Sequence, residues 1–199
     1  MAIIPCPCCN FAESDGLFPD YTGPCVTSDM EALGEATLDN RLCRNCGLIF
    51  NAGGTRGRSA EFYRSSYKLM MHRPQASIQS FADGAKPMSQ AQRTFEILQE
   101  FVDLPGKGVV LEAGAGKGEF LGHFAAAFPS WSLHAFEPSS AFEVLKQNFP
   151  NAVLTRGEYA TADLDRGADL VVALGVLEHV ENPLDMLHWG NRQLREGGI

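Results

Sequence analysis

No run of the 199-residue chain approaches the roughly 20 consecutive apolar residues that a membrane-crossing helix requires. The longest, around Leu170 to Leu177, falls far short, so no membrane span is expected. The opening MAIIPCPCC lacks the basic start, apolar core and small-residue cleavage site of a secretory signal, which makes the cytoplasm the expected compartment. Positive charge is scarce: 16 Lys and Arg face 24 Asp and Glu, for a net charge of -8. That balance opposes attraction to a polyphosphate and disfavours a nucleic-acid partner. The deficit lies in the second part of the chain, with 7 basic and 8 acidic residues up to Gln75 and 9 against 16 after it. Internal repeats and low-complexity tracts are missing too, which leaves an ordinary globular composition, 45% hydrophobic and 20% charged.

Cysteine is absent beyond Cys46; Cys6, Cys8, Cys9, Cys25, Cys43 and Cys46 all lie in the first quarter. Without a secretion signal, reduced thiols are expected rather than disulfides. Cys6-x-x-Cys9 and Cys43-x-x-Cys46 deliver four thiolates in two pairs from tight turns, a donor set that suits tetrahedral Zn2+ with no position open for catalysis. The zinc is therefore expected to be structural. A redox dithiol would sit at a helix start in a βαβ setting, which is lacking here. Cys8 would spoil the knuckle spacing and Cys25 stands alone, so both are read as buried or free thiols. Residues 1–58 are rich in Gly, Pro, Asp and Asn with little helical period, and a metal staple explains how so small a module folds. The gap from 10 to 42 leaves room for an inserted hairpin or loop.

A linker, 59–88, carries the first helical pattern, SAEFYRSSYKLMM over Ser59–Met71, with Phe62, Tyr63 and Tyr67 near one face. From Ser89 the pattern is regular: a helix over Ser89–Leu104 with Phe95, Leu98, Phe101 and Val102 near one face, then strands and helices alternating at short intervals. Four strands are expected, in GVVLEAG, WSLHAFEP, AVLTRG and ADLVVALGVLEHV, the last running into a loop. The fold class is α/β, with a parallel sheet covered on both faces. The chain reaches Ile199 where a fifth strand should begin, so the fourth strand is expected to be an unpaired edge and the chain a truncated form of a longer protein.

The stretch VLEAGAGKGEFL places Gly114, Gly116 and Gly118 between the first strand and a helix, where a polar ligand can approach backbone closely. A dinucleotide fingerprint beginning at Gly114 needs glycine at 119, which is Glu119; a P-loop needs a leading glycine where Leu111 stands and a hydroxyl where Gly118 stands. Glu112 would repel a pyrophosphate and attract an amino or sulfonium group. Glu137 ends the second strand, where an acid accepts hydrogen bonds from ribose hydroxyls. Together these imply a cationic, ribose-bearing cofactor without phosphate.

With VLEAGAGKGEFL, HAFEPS, ADLVVALGVLEHVENP and LREGG in order over about 88–199, the chain resembles the class I S-adenosylmethionine-dependent methyltransferases. The resemblance implies a Rossmann-like core over 89–199. It implies that Glu112 and the glycine loop hold the methionine end, Glu137 the ribose, and Glu158 the adenine, with Asp163 a competitor for the last role. His179, in the loop after strand four, is the candidate base, and Glu178 supports the loop or the cofactor. CRNCGLIFNAG followed by SAEFYRSSY resembles the zinc-ribbon leader of some bacterial methyltransferases, a few of which act on sugars. Tyr63 and Tyr67 then become candidates to line the acceptor entrance, and a small-molecule or sugar-type acceptor is expected. An rRNA methyltransferase with a zinc finger, and a non-catalytic S-adenosylmethionine-binding zinc protein, are the rival readings.

Overall fold

The computed structural model describes residues 4–18, 20–26, 32–53, 64, 78–79, 88–161, 164 and 167–199. Tyr63, Tyr67, Asp163 and all of the helix expected over Ser59–Met71 except Arg64, which is helical, lie outside the described residues.

Near the N-terminus, β1 (Ser14–Gly16), β4 (Asn40–Cys43) and β5 (Ile49–Asn51) form an antiparallel sheet in the order β1-β4-β5. Between the cysteine pairs, β2 (Tyr21–Val26) and β3 (Ala32–Leu38) make a separate two-stranded hairpin. The buried cluster here is only Cys6, Cys43, Phe50 and Ala52. Among the described residues this is a small core, with Ile4, Cys8, Cys9 and Leu48 packed against it.

Two short strands, β6 (Ile78–Gln79) and β7 (Met88–Ser89), pair before helix α1 (Gln90–Phe101). The Ser89 hydroxyl caps α1, accepting from the Gln92 N–H at 3.0 Å. Phe95 is buried and Leu98 packs beside it, but Phe101 is 76% exposed. Six residues separate Phe101 from Phe95, about 240° around a helix, which turns it away from the packed face.

Strand and helix then alternate as β8 (Val109–Ala113), α2 (Glu119–Ala127), β9 (Ser132–Glu137), α3 (Phe142–Asn148), β10 (Val153–Arg156), β11 (Leu170–Ala173) and α4 (Pro183–Gln193). All four strands are parallel, in the order β10-β9-β8-β11. Adjacent residues of β8 feed opposite cores: Val110 joins Phe95, Phe120, Leu121, Phe124 and Trp131, while Leu111 joins Phe136, Met186 and Trp189. At the amino edge Asp169 accepts from the Val109 N–H at 2.7 Å and pairs with Arg195. The outer edge of β11, expected to be unpaired, instead exchanges two backbone bonds with Ile199: Val171 N–H to its carbonyl at 2.8 Å, and its N–H to Asp169 at 2.9 Å. Strand order reverses between β8 and β11, which opens a crevice at the carboxyl ends of these strands.

Candidate functional site

The loop leaving β8 is built on glycines for two different reasons. Gly114, Gly116 and Gly118 have φ of 68°, 57° and 84°, the left-handed region that side chains disfavour. A Cβ on Gly114 would stand 2.6 Å from Val176 Cγ2, and one on Gly118 would stand 2.3 Å from the Phe149 ring and 2.8 Å from Leu145. Gly114 thus admits the segment after β11, and Gly118 admits the end of α3. Four of the loop's amides, those of all three glycines included, already have acceptors: Gly114 and Ala115 donate to Phe136 O at 2.9 and 3.2 Å, Gly116 to Glu137 Oε2 at 2.8 Å, and Gly118 to Ala115 O at 2.8 Å. A phosphate cradle works through unspent N–H groups, and those of the three glycines are not among them.

Two buried acids meet beneath this loop. Glu137, 5% exposed, accepts from Gly116 N–H through Oε2 and from Ser139 N–H through Oε1, both at 2.8 Å. It ties the glycine loop to the turn after β9, and each oxygen keeps acceptor capacity for a hydroxyl. Glu112, 3% exposed, accepts from the Leu121 N–H, while its Oε2 has no partner among the described residues. Burial first, and the charge of Glu137 second, push the Glu112 carboxyl up to about 8, against the pull of Leu121. An orphaned oxygen in a buried acid is costly, and a cationic ligand group would satisfy it.

Glu158 and His179 follow the carboxyl ends of β10 and β11. Glu158 follows β10, half-buried, and its carbonyl accepts from the Thr161 N–H and hydroxyl at 2.9 and 2.7 Å. Its neighbour Tyr159 packs edge-on against Trp189 at 5.6 Å, and Trp189 against Phe136 at 5.2 Å. Burial, then Asp185 and Glu158, raise the Tyr159 phenol above its ordinary range. His179 is exposed, at the end of a 3-10 turn over Leu177–His179, and its N–H donates to Val176 O at 2.9 Å. Val176 therefore links the His179 turn to Gly114. Sequence reasoning missed Val176, Ser139 and Tyr159; the alternation of β11 carries no signal for a valine six residues past its start that meets a glycine loop.

A family model for the methyltransferase domain matches residues 88–199, the whole parallel sheet with its helices. The chain belongs to the methyltransferase-domain family. Its fold is that of the class I S-adenosylmethionine-dependent methyltransferases, Rossmann-like with a parallel sheet. Coclaurine N-methyltransferase, solved with N-methylheliamine and SAH, superposes with a TM-score of 0.53 at 16% identity, over 63% of this chain and 39% of that one. An S-adenosyl-L-methionine-dependent methyltransferase from Geobacter sulfurreducens, solved with S-adenosyl-L-homocysteine, gives 0.43 at 19% identity, over 54% and 44%. The chain thus spans about two fifths of the length of these methyltransferases. No curated protein matches it. Among the described residues, no helix of this methyltransferase-family chain is long and apolar enough to cross a membrane.

The second site is the cysteine cluster. Its two knuckles have the same turn: Asn10 N–H donates to Cys6 O at 2.9 Å and Gly47 N–H to Cys43 O at 3.0 Å, with Asn10 and Gly47 both at positive φ, 57° and 74°. Asn10 is a residue that tolerates this conformation without being glycine. The four sulfurs of Cys6, Cys9, Cys43 and Cys46 lie within 4.8 Å of one another. Cys6 Sγ is 3.6 Å from Cys46 Sγ, and Cys9 Sγ is 3.5 Å from Cys43 Sγ. A disulfide needs about 2.05 Å, whereas a tetrahedron of Zn–S bonds near 2.3 Å has edges of about 3.8 Å. The donor set and its spacing fit a zinc ion. Hydrogen bonds from Asn45 and then Phe11 lower the Cys9 thiol to about 6, while, against a hydrogen bond from Leu48, burial and the other three thiols push Cys46 up to about 12, so the four sulfurs titrate as one set. Cys8, half-buried, stands outside the four; Cys25 lies in β2.

Proposed function

We propose that the protein is an S-adenosylmethionine-dependent methyltransferase of the cytoplasm acting on a small-molecule or sugar-type acceptor. Residues 89–199 form its cofactor-binding domain, 59–88 a helical linker, and 1–58 a zinc-ribbon-like module with one structural Zn2+ on Cys6, Cys9, Cys43 and Cys46. The observation that carries the reading is the orphaned Oε2 of Glu112 beside a loop whose three glycine amides are already taken. Such a site suits an ammonium and repels phosphate. Glu112 with Gly114, Gly116 and Gly118 holds the methionine end, Glu137 accepts from the ribose, and Glu158 flanks the adenine. The bound cofactor supplies a methyl group activated on a sulfonium. The chain's own part is to align an acceptor in line with that methyl and, where the acceptor carries a proton, to remove it. His179, exposed at the crevice edge, takes that role, and Tyr63 and Tyr67 line the acceptor entrance from the zinc side.

The acidic balance of 16 basic and 24 acidic residues weighs against the RNA-modifying alternative. Methyl-labelled S-adenosylmethionine offered with nucleotide-linked deoxysugars, a low-molecular-weight cell extract and ribosomal RNA separates the readings. Label in the small-molecule fraction supports this proposal, label in RNA supports the rival enzyme, and cofactor binding with no transfer to any of them supports a non-catalytic role.

A further inference from the structure

Glu112 and Glu137 are both buried and act on each other, yet they are solvated differently by the protein. Glu137 receives two backbone N–H groups at 2.8 Å. Glu112 receives one, from Leu121, and leaves an oxygen without a donor. The charged group that acts on Glu112 is Glu137 of β9. β8 itself, β9, β11 and α2 contribute Val110, Ala135, Val172 and Leu121 to the cluster on its face of the sheet, all apolar. A carboxyl so placed holds its proton until a cation arrives, because neither the surroundings nor its neighbour stabilises a second negative charge.

We propose that the site fills by proton exchange: Glu112 is a neutral acid in the empty protein and gives its proton to solvent as the cofactor's amino group docks against it. The inference rests on the S-adenosylmethionine reading and adds a regulation to it. In balance, a carboxylic acid and a ligand ammonium become a carboxylate–ammonium pair plus one released H+; no bond to carbon changes. Below about 8, where burial has pushed the Glu112 carboxyl, affinity falls as protonation competes with docking. Above it the ligand's own amine, whose ordinary range is about 7.7–8.0, loses the proton that the pair needs. Affinity therefore peaks near pH 8, and at pH 6 it is about twenty-fold weaker. The crevice reads pH over a physiological interval.

Calorimetric titration of the full chain with S-adenosylmethionine, at pH 6 in two buffers of different ionisation enthalpy, counts the protons directly. Close to one proton should leave per cofactor bound at pH 6, shrinking toward zero near pH 8. Glu112→Gln should bind with no release and with affinity nearly constant from pH 6 to pH 7. The count on the unaltered protein stands by itself if that variant folds poorly. Binding at pH 6 without proton release, or release that persists in Glu112→Gln, overturns the coupling while the cofactor reading stands. No binding at any pH removes both.

Discussion

Replacing Glu112 by Gln should make the empty protein more stable. The carboxyl is moved from its ordinary 4.5 to about 8 by burial and by Glu137. Between these values the unfolded chain is ionised there and the folded chain is protonated, so folding takes up a proton and stability declines as pH rises. At pH 7 about 2.5 units of that gap have been crossed, which at about 1.4 kcal/mol per unit amounts to about 3 kcal/mol. Gln escapes the cost, because it carries no charge, keeps an acceptor for the Leu121 N–H, and points an amide donor toward an acidic neighbour. Its advantage should be close to zero near pH 5, grow by about 1.4 kcal/mol per unit, and level off above pH 8. Urea unfolding followed by tryptophan fluorescence measures this directly, since Trp131 and Trp189 report on the two cores flanking the parallel sheet. A variant that is less stable than the parent at pH 7, or whose difference does not change with pH, would refute a neutral, poorly solvated Glu112. The expected gain is a case of function held at the expense of stability.

Gly118→Ala forces a left-handed Ala against Phe149 and Leu145 and should cost about 2–4 kcal/mol in urea unfolding. Gly114→Ala meets Val176 instead, so adding Val176→Ala should recover part of its loss, whereas Val176→Ala should do nothing for Gly118→Ala; a double-mutant cycle reads the coupling. Metal analysis of protein purified without chelator should find about one zinc per chain, and Cys43→Ser should lose it together with the order of the N-terminal module.

The α/β architecture was legible because its signals are local and repeated. Apolar runs bounded by turn residues marked all four strands, and the helical pattern that begins at Ser89 starts where the Ser89 hydroxyl caps α1. The convergence of Cys6, Cys9, Cys43 and Cys46 was legible from spacing alone, since four thiols in two knuckles admit few other arrangements. What escaped was tertiary. Phe101 shares an apolar pattern with Phe95 but is turned to solvent by helix geometry. The glycines announced close backbone approach without saying to what; Val176 and Phe149 approach two of them. Glu137 read as a ribose acceptor, while its present partners, the amides of Gly116 and Ser139, depend on how β8 and β9 are registered. Nothing in a linear reading shows that Glu112 lacks a second donor, because that follows from which amides other groups have already taken.

Equilibrium binding of S-adenosylmethionine to the folded, zinc-loaded chain near pH 8 tests the central claim most directly. The account predicts saturable binding of one molecule per chain, reduced at least tenfold by Glu112→Gln and insensitive to competing ATP or NAD. A folded protein that fails to bind S-adenosylmethionine, or that prefers either phosphate-bearing nucleotide, would contradict it.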